Sequence, residues 1–194
     1  MNNKAFAIIT SIIFLSIIPI LGAYIYWHKQ QHRPTVTTHY YGKLHRPAIQ
    51  TNAKFWSTTL GNPTPERIFS NRWHLLYTTQ NCGNTCQSDL KKLSAFLTAF
   101  GRDQSRLQIN LLHFQPQEKN NSLRTFGPRL HRYLGKTQSW NGMQRKIKAL
   151  PDLKQPHILL INPLSQWVMT YTMPANLDHL YHDLKRMLKY STIG

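Results

Sequence analysis

The sequence predicts an α/β domain carried behind a single N-terminal transmembrane helix. Three observations predict it. Ala5–Trp27 contains no charged residue. Beyond residue 70, short β-rich runs alternate with stretches that repeat apolar residues every three or four positions. The only two cysteines fall where one such run gives way to a helical stretch.

Composition narrows the function classes first. The chain has 194 residues and 41% apolar content, enough for one domain with a real core plus an extra segment. Two cysteines cannot build a disulfide scaffold or a four-cysteine zinc site. Seven Asp+Glu argue against a two-carboxylate hydrolase. No glycine-rich phosphate loop, no GxSxG elbow and no internal repeat is present.

The apolar run comes first. A helix crossing a bilayer needs about 20 apolar residues, and the core of this run, Ile8–Leu15, supplies the densest part. Pro19 is tolerated in such a span. Tyr24, Tyr26 and Trp27 close it with rings suited to the headgroup level. A cleaved signal peptide is the alternative, but the run is long for one and Leu21-Gly22-Ala23 is a poor cleavage site. Lys29, Arg33, Lys43 and Arg46 follow the span and only Lys4 precedes it. Counted alone, that charge balance favours a cytoplasmic C-terminal domain, although long domains translocate despite their charge. The expected organisation is a short segment at 1–4, an anchor at 5–27, a tether at 28–50 and a soluble domain at 51–194.

The soluble elements follow in order. Trp73–Thr79 reads as a buried strand. Ser88–Phe100 reads as a helix with Leu90, Leu93, Leu97 and Phe100 on one face, stopped by Gly101. Leu107–His113 is the second strand. A helix is expected around Leu123–Leu134 in an otherwise polar region. Pro156–Ile161 and Trp167–Thr172 read as a hairpin turning at Asn162–Ser165. A last helix runs from about Asn176, its cap, to Tyr190, with Leu177, Leu180, Leu184 and Leu188 as its apolar stripe. Strand, helix, strand, variable region, hairpin, helix is the thioredoxin pattern. In that fold Pro156 stands where a cis-proline is expected.

Cys82 and Cys86 are the candidate catalytic residues. A helix N-terminus carries partial positive charge and free N–H groups, which lower a thiol pKa and raise its reactivity. The alternative is a pair of unrelated cysteines, one buried as a small hydrophobe. Positions i and i+4 of a regular helix hold their Cβ atoms about 5–6 Å apart, whereas a disulfide wants about 3.5–4.5 Å. A bridge therefore requires Cys82 to lie outside regular helix. Two adjacent soft thiolates also suit Cu(I), so the spacing admits both redox and metal chemistry.

At this point the chain resembles the Sco/SenC branch of thioredoxin-like proteins, and more closely a divergent membrane-anchored group in proteobacteria. The resemblance rests on the anchor, Tyr41–Pro47, Trp73–Tyr77 leading into Cys82-x-x-x-Cys86, the Asn162-Pro163 hairpin and the Asp183–Lys189 ending. It implies an inner-membrane protein with its domain in the periplasm, assisting assembly of cytochrome c oxidase. It further implies copper, as Cu(I), held by Cys82, Cys86 and a histidine in the loop before the third strand. The family's histidine falls near Lys154 here. His157 is the available candidate, and the departure gives weight to a thiol-redox role on the oxidase subunit.

The other histidines point elsewhere. His179 and His182 are spaced for a metal but lie opposite the apolar stripe. His74 and His113 fall in strands; His28, His32, His39 and His45 fall in the expected tether. The net charge of +17 raises nucleic-acid binding as a rival. No helix-turn-helix or RNP-like pattern supports it, and a basic domain held beside anionic headgroups accounts for the charge. The sequence reading is thus an assembly factor, with an oxidase subunit or its assembly factors as partner, more than a conventional enzyme. A general membrane-bound thiol–disulfide oxidoreductase and a scaffold with a vestigial dithiol remain as alternatives.

Overall fold

The computed structural model describes residues 16–25, 28, 40–51, 69, 71–115 and 130–191. The chain divides into two units, 1–39 and 40–194. In the first, residues 16–25 are helical. Most of the expected anchor lies outside the described residues, and no helix among those described is long and apolar enough to cross a membrane.

Among the described residues the second unit is built on a six-stranded mixed sheet. Its strands are β1 Lys43–Gln50, β2 Trp73–Thr79, β3 Leu107–His113, β4 Leu130–Leu134, β5 His157–Ile161 and β6 Gln166–Thr172. Their spatial order is β1-β6-β5-β2-β3-β4. β2, β3 and β4 are mutually parallel, while β5, β6 and β1 pair antiparallel. Among the described residues three α-helices cover the sheet: α1 Asn84–Thr98, α2 Thr137–Lys146 and α3 Leu177–Tyr190. A 3-10 helix, Gly101–Arg106, links α1 to β3.

Strand alternation sorts the core onto two faces. On one, Leu75, Tyr77, Ile109, Leu111, Ile158 and Leu160 meet Leu90, Leu93 and Leu97 of α1 and Leu180, Leu184 and Leu188 of α3. On the other, Leu76, Leu112, Leu159, Ile161 and Trp167 meet Trp140 of α2. Every residue of β2 is buried, as a central strand covered on both faces requires.

Four expectations change. The tether assigned to 28–50 ends earlier, because 43–50 is β1. Its pairing with β6 jumps from Leu44↔Met169 to Ile49↔Trp167, and the bulge between them holds Pro47, which an edge strand tolerates. The helix expected at Leu123–Leu134 is replaced over 130–134 by β4; residues 116–129 lie outside the described set. α2 went unexpected because Thr137–Lys146 is polar and buries only Trp140. Finally, the bond before Pro156 is not cis: the cis X–Pro bonds among the described residues are Arg46–Pro47 and Met173–Pro174. The Pro156 carbonyl instead accepts from Met173 N at 2.9 Å, adding a rung to the β5–β6 ladder.

The start of β1 is locked by α3. Asp183, 3% exposed, accepts from Tyr41 N (2.8 Å), Gly42 N (3.0 Å) and Tyr171 Oη (2.5 Å) through one carboxylate oxygen. The Tyr41 ring stacks on His179 with centroids 3.8 Å apart. A Cβ at Gly42 would lie 2.5 Å from Met169 Sδ and from the Tyr171 ring. Since Asp183 holds the Gly42 amide, the strand cannot back away. Gly42→Ala should therefore cost about 1–3 kcal/mol, read as a lower denaturation midpoint; an unchanged midpoint would show that the contact relaxes freely.

Candidate functional site

The cysteines sit where β2 hands over to α1. β2 ends at Thr79, whose hydroxyl donates to the Asn81 carbonyl at 2.9 Å. The Gln80 carbonyl accepts from Phe114 N (3.2 Å) and Gln115 N (3.0 Å), tying the turn to the end of β3. α1 begins at Asn84 with Gly83 as N-cap, and no side chain caps it. Gly83 has φ −81°, a conformation open to any residue, so the turn does not depend on glycine there. Helix α1 starts four residues before the expected Ser88 and thereby takes in Cys86.

Cys82 and Cys86 form a disulfide with Cα atoms 5.0 Å apart, inside the usual range. Cys82 lies before the first helical residue, as closing this spacing requires, and Cys86 lies in the first turn. Both are buried, at 1% and 3% exposure, and belong to the α1/α3-side core. Asn81, Gly83, Asn84 and Thr85 around them are exposed. The first turn of α1 has no acidic residue, so nothing there offsets the positive end of the helix dipole for a thiolate.

One turn further along α1, the buried Asp89 accepts from Tyr77 Oη at 2.9 Å. Burial, and then the Asp89 carboxylate, push the Tyr77 phenol far above its ordinary value. This pair under the disulfide was not picked out from the sequence. The signal available was an acid three residues after Cys86 in a chain with only seven.

His157 is not brought to the cysteines. It opens β5 opposite Thr78, whose hydroxyl donates to the His157 carbonyl at 3.3 Å. Alternation puts His157 on the face of Leu159 and Ile161, whereas the cysteines pack on the face of Ile158 and Leu160. Its Nε2 lies 3.9 Å from Asp152 Oδ1. Lys154 is exposed. No group of three or more His, Cys, Asp or Glu among the described residues is arranged to hold a metal. The reduced pair would offer two soft thiolates to Cu(I), but these residues do not supply the third ligand that the resemblance implies.

Three buried histidines, His45, His74 and His157, lie on the face away from the disulfide, and the burial of two of them shifts their titration. His45 Nε2 is 2.8 Å from Thr170 Oγ1, and its ring tilts against Trp167 at 4.4 Å. Burial, then Lys43, hold His45 below its ordinary pKa. Burial also lowers His157, with Asp152 opposing. Above pH about 6.5 both are neutral in folded and unfolded chains, and their full contribution is present. Below that, the unfolded chain takes up protons that the folded chain resists, so stability falls. The denaturation midpoint should drop between pH 7.5 and 5, and His45→Asn with His157→Gln should flatten the drop. An equal drop in that variant would place the effect elsewhere.

Comparison with known families now decides the assignment. The family described as "Transmembrane-like, thioredoxin-like, C-terminal domain" matches residues 73–191. The chain belongs to this family. The match runs from the first residue of β2 through α3 and includes both cysteines of this thioredoxin-like domain. Among solved structures, apo Sco1 from Thermus thermophilus is similar with a TM-score of 0.54 at 13% identity, covering 78% of this chain and 99% of that one. Yeast Sco1 with copper bound is similar with a TM-score of 0.50 at 17% identity, covering 68% and 87%. A thiol:disulfide interchange protein from Bacteroides sp. gives 0.47 at 16% identity, covering 78% and 91%. At these identities the likeness to the two Sco1 proteins is one of fold. Comparison with curated protein sequences gives no match.

Proposed function

We propose that this chain is a membrane-anchored thiol–disulfide assembly factor that keeps client cysteines reduced. The observation that carries the reading is the Cys82–Cys86 disulfide closed across the first turn of α1. In one turnover the Cys82 thiolate attacks a client disulfide and forms a mixed disulfide, releasing one client thiolate. Cys86 then attacks Cys82, forms the Cys82–Cys86 bond and frees the second client thiol. Two electrons pass to the client, and the disulfide seen here is the product. The client we propose is the copper-site subunit of cytochrome c oxidase, or an assembly factor of that subunit. The anchor at 5–27 would place the domain on the periplasmic side of the inner membrane.

The test is trapping. Reduced full-length Cys86→Ser protein in neutral detergent is mixed with a disulfide-bonded peptide from the copper-site subunit. A stable mixed disulfide through Cys82 is expected; none, with the protein folded, overturns the reading. A reporter fused after Gly194 that is active only in the cytoplasm would overturn the periplasmic placement.

A second reading takes Cu(I) as cargo. It is favoured by the two neighbouring thiolates that reduction would generate and by the shared fold with the copper-bound yeast protein. Anaerobic titration of the reduced full chain should then show one tight equivalent, lost on replacing both cysteines by serine. The absence of tight binding would remove this reading and leave the first intact.

A further inference from the structure

At the end of the sheet where β2 and β3 begin, away from the disulfide, lies a cavity of about 300 Å³. Leu97 and Leu107 are among its lining residues, and Arg72, Arg102, Gln104 and Ser105 bring donors to it. No carboxylate is among the described lining residues. Neither Arg72 nor Arg102 has an ion-pair partner among the described residues. Asp103, beside Arg102, is taken by Arg106 at 3.1 Å, and Arg106 is fixed in turn by the carbonyls of Leu188 and Ser191. The Gln104 Nε2 is buried and has no hydrogen-bond partner among the described residues. A buried N–H without an acceptor costs about 1–3 kcal/mol, so an acceptor arriving there removes a standing penalty.

We propose that this cavity binds a phosphate-class oxyanion between the Arg72 and Arg102 guanidinium groups. Two planar forks match the oxygens of a tetrahedral phosphate, each with paired N–H donors. The Gln104 amide supplies a neutral donor from the same wall. The volume holds a phosphate group with part of its ester. A free phosphate and a phospholipid headgroup present the same chemistry. The site lies apart from Cys82 and Cys86, and its test is independent of thiol exchange.

The experiment follows the denaturation midpoint of the full chain in neutral detergent against inorganic phosphate, at constant ionic strength. Arg72→Gln/Arg102→Gln is compared with Lys91→Gln/Lys92→Gln, which removes the same charge from exposed positions of α1. A saturable rise is expected in the wild type and in the lysine pair. The arginine pair should weaken binding at least about a hundredfold, the least that two charge-assisted hydrogen bonds supply. Arg72 and Arg102 are exposed, so the variant keeps its fold, which circular dichroism checks. A rise that never saturates, or that is equal in all three proteins, overturns the proposal as plain salt action. Sedimentation with phosphatidylglycerol and phosphatidylcholine vesicles then assigns the source. A larger loss of phosphatidylglycerol binding in the arginine pair than in the lysine pair identifies a headgroup; equal losses identify a free phosphate.

Discussion

Replacing both Cys82 and Cys86 by serine should abolish thiol exchange completely, because the chain has no other cysteine. It should also lower stability in two separable ways. The disulfide closes a five-residue loop, Cys82 to Cys86, and the chain-entropy relation gives about 2 kcal/mol for a loop that short. Reducing the wild-type protein should cost about that much. The double-serine variant should cost more, since two hydroxyls then occupy sites only 1% and 3% exposed. Denaturation of the oxidised wild type, the reduced wild type and the variant measures both terms. Exchange that survives in the variant would show that the chemistry lies outside the dithiol. A reduced protein as stable as the oxidised one would show that the bridge constrains little, which itself suits a bond made to be cycled.

The second large effect is expected at Asp183→Ala. One carboxylate oxygen there serves three donors from two segments: Tyr41 and Gly42 before β1, and Tyr171 on β6. Its removal leaves a buried phenol and two backbone N–H groups to find other partners. A loss of about 3–5 kcal/mol is expected, a large share of the 5–15 kcal/mol typical of a domain. Tyr171→Phe removes a single donor and should cost about 1 kcal/mol. The order of the two variants is the check: if Tyr171→Phe proves as costly as Asp183→Ala, the hydroxyl contact and not the β1 lock carries the energy. Hydrogen exchange at the Tyr41 and Gly42 amides should accelerate in the Asp183 variant and stay slow in the Tyr171 variant. Burial, and then Asp183, also raise the Tyr171 phenol far above its ordinary value. The folded chain thus keeps that proton when the unfolded chain loses it, and stability should decline as pH rises past about 10.

Elements whose burial leaves a period in the sequence were legible. Trp73–Thr79, Leu107–His113 and Leu177–Tyr190 appear with their expected bounds to within a residue. Asn176 caps α3 as expected, accepting from Asp178 N at 2.9 Å. β1 was hidden because Pro47 and the bulge break the alternation that a strand would show. β4 was hidden because it is a five-residue edge strand with three exposed residues. The dithiol junction was legible because a strand run, two cysteines and a helical stripe follow one another directly. The sequence distance from His157 to the cysteines did not decide their geometry. In a strand, one residue is the difference between one face and the other, and His157 falls on the face of Leu159, not that of Ile158.

The direction of β1 has a consequence for how the disulfide searches for a partner. β1 runs opposite to β6, and β6 runs alongside β2 in the same sense. The chain therefore joins the sheet at the edge where β2 ends and the disulfide begins. Three strand spacings of about 4.8 Å separate β1 from β2, roughly 14 Å across that edge. Tyr40, the first residue of this unit, thus lies at the same end of the sheet as Cys82–Cys86. The lever arm between them is a fraction of the domain's width. If the proposed anchor holds the chain upstream, the effective concentration of the dithiol at a membrane-fixed partner is set by the length of chain before Tyr40. Lengthening that chain should slow exchange with a fixed partner while leaving exchange with a free one unchanged.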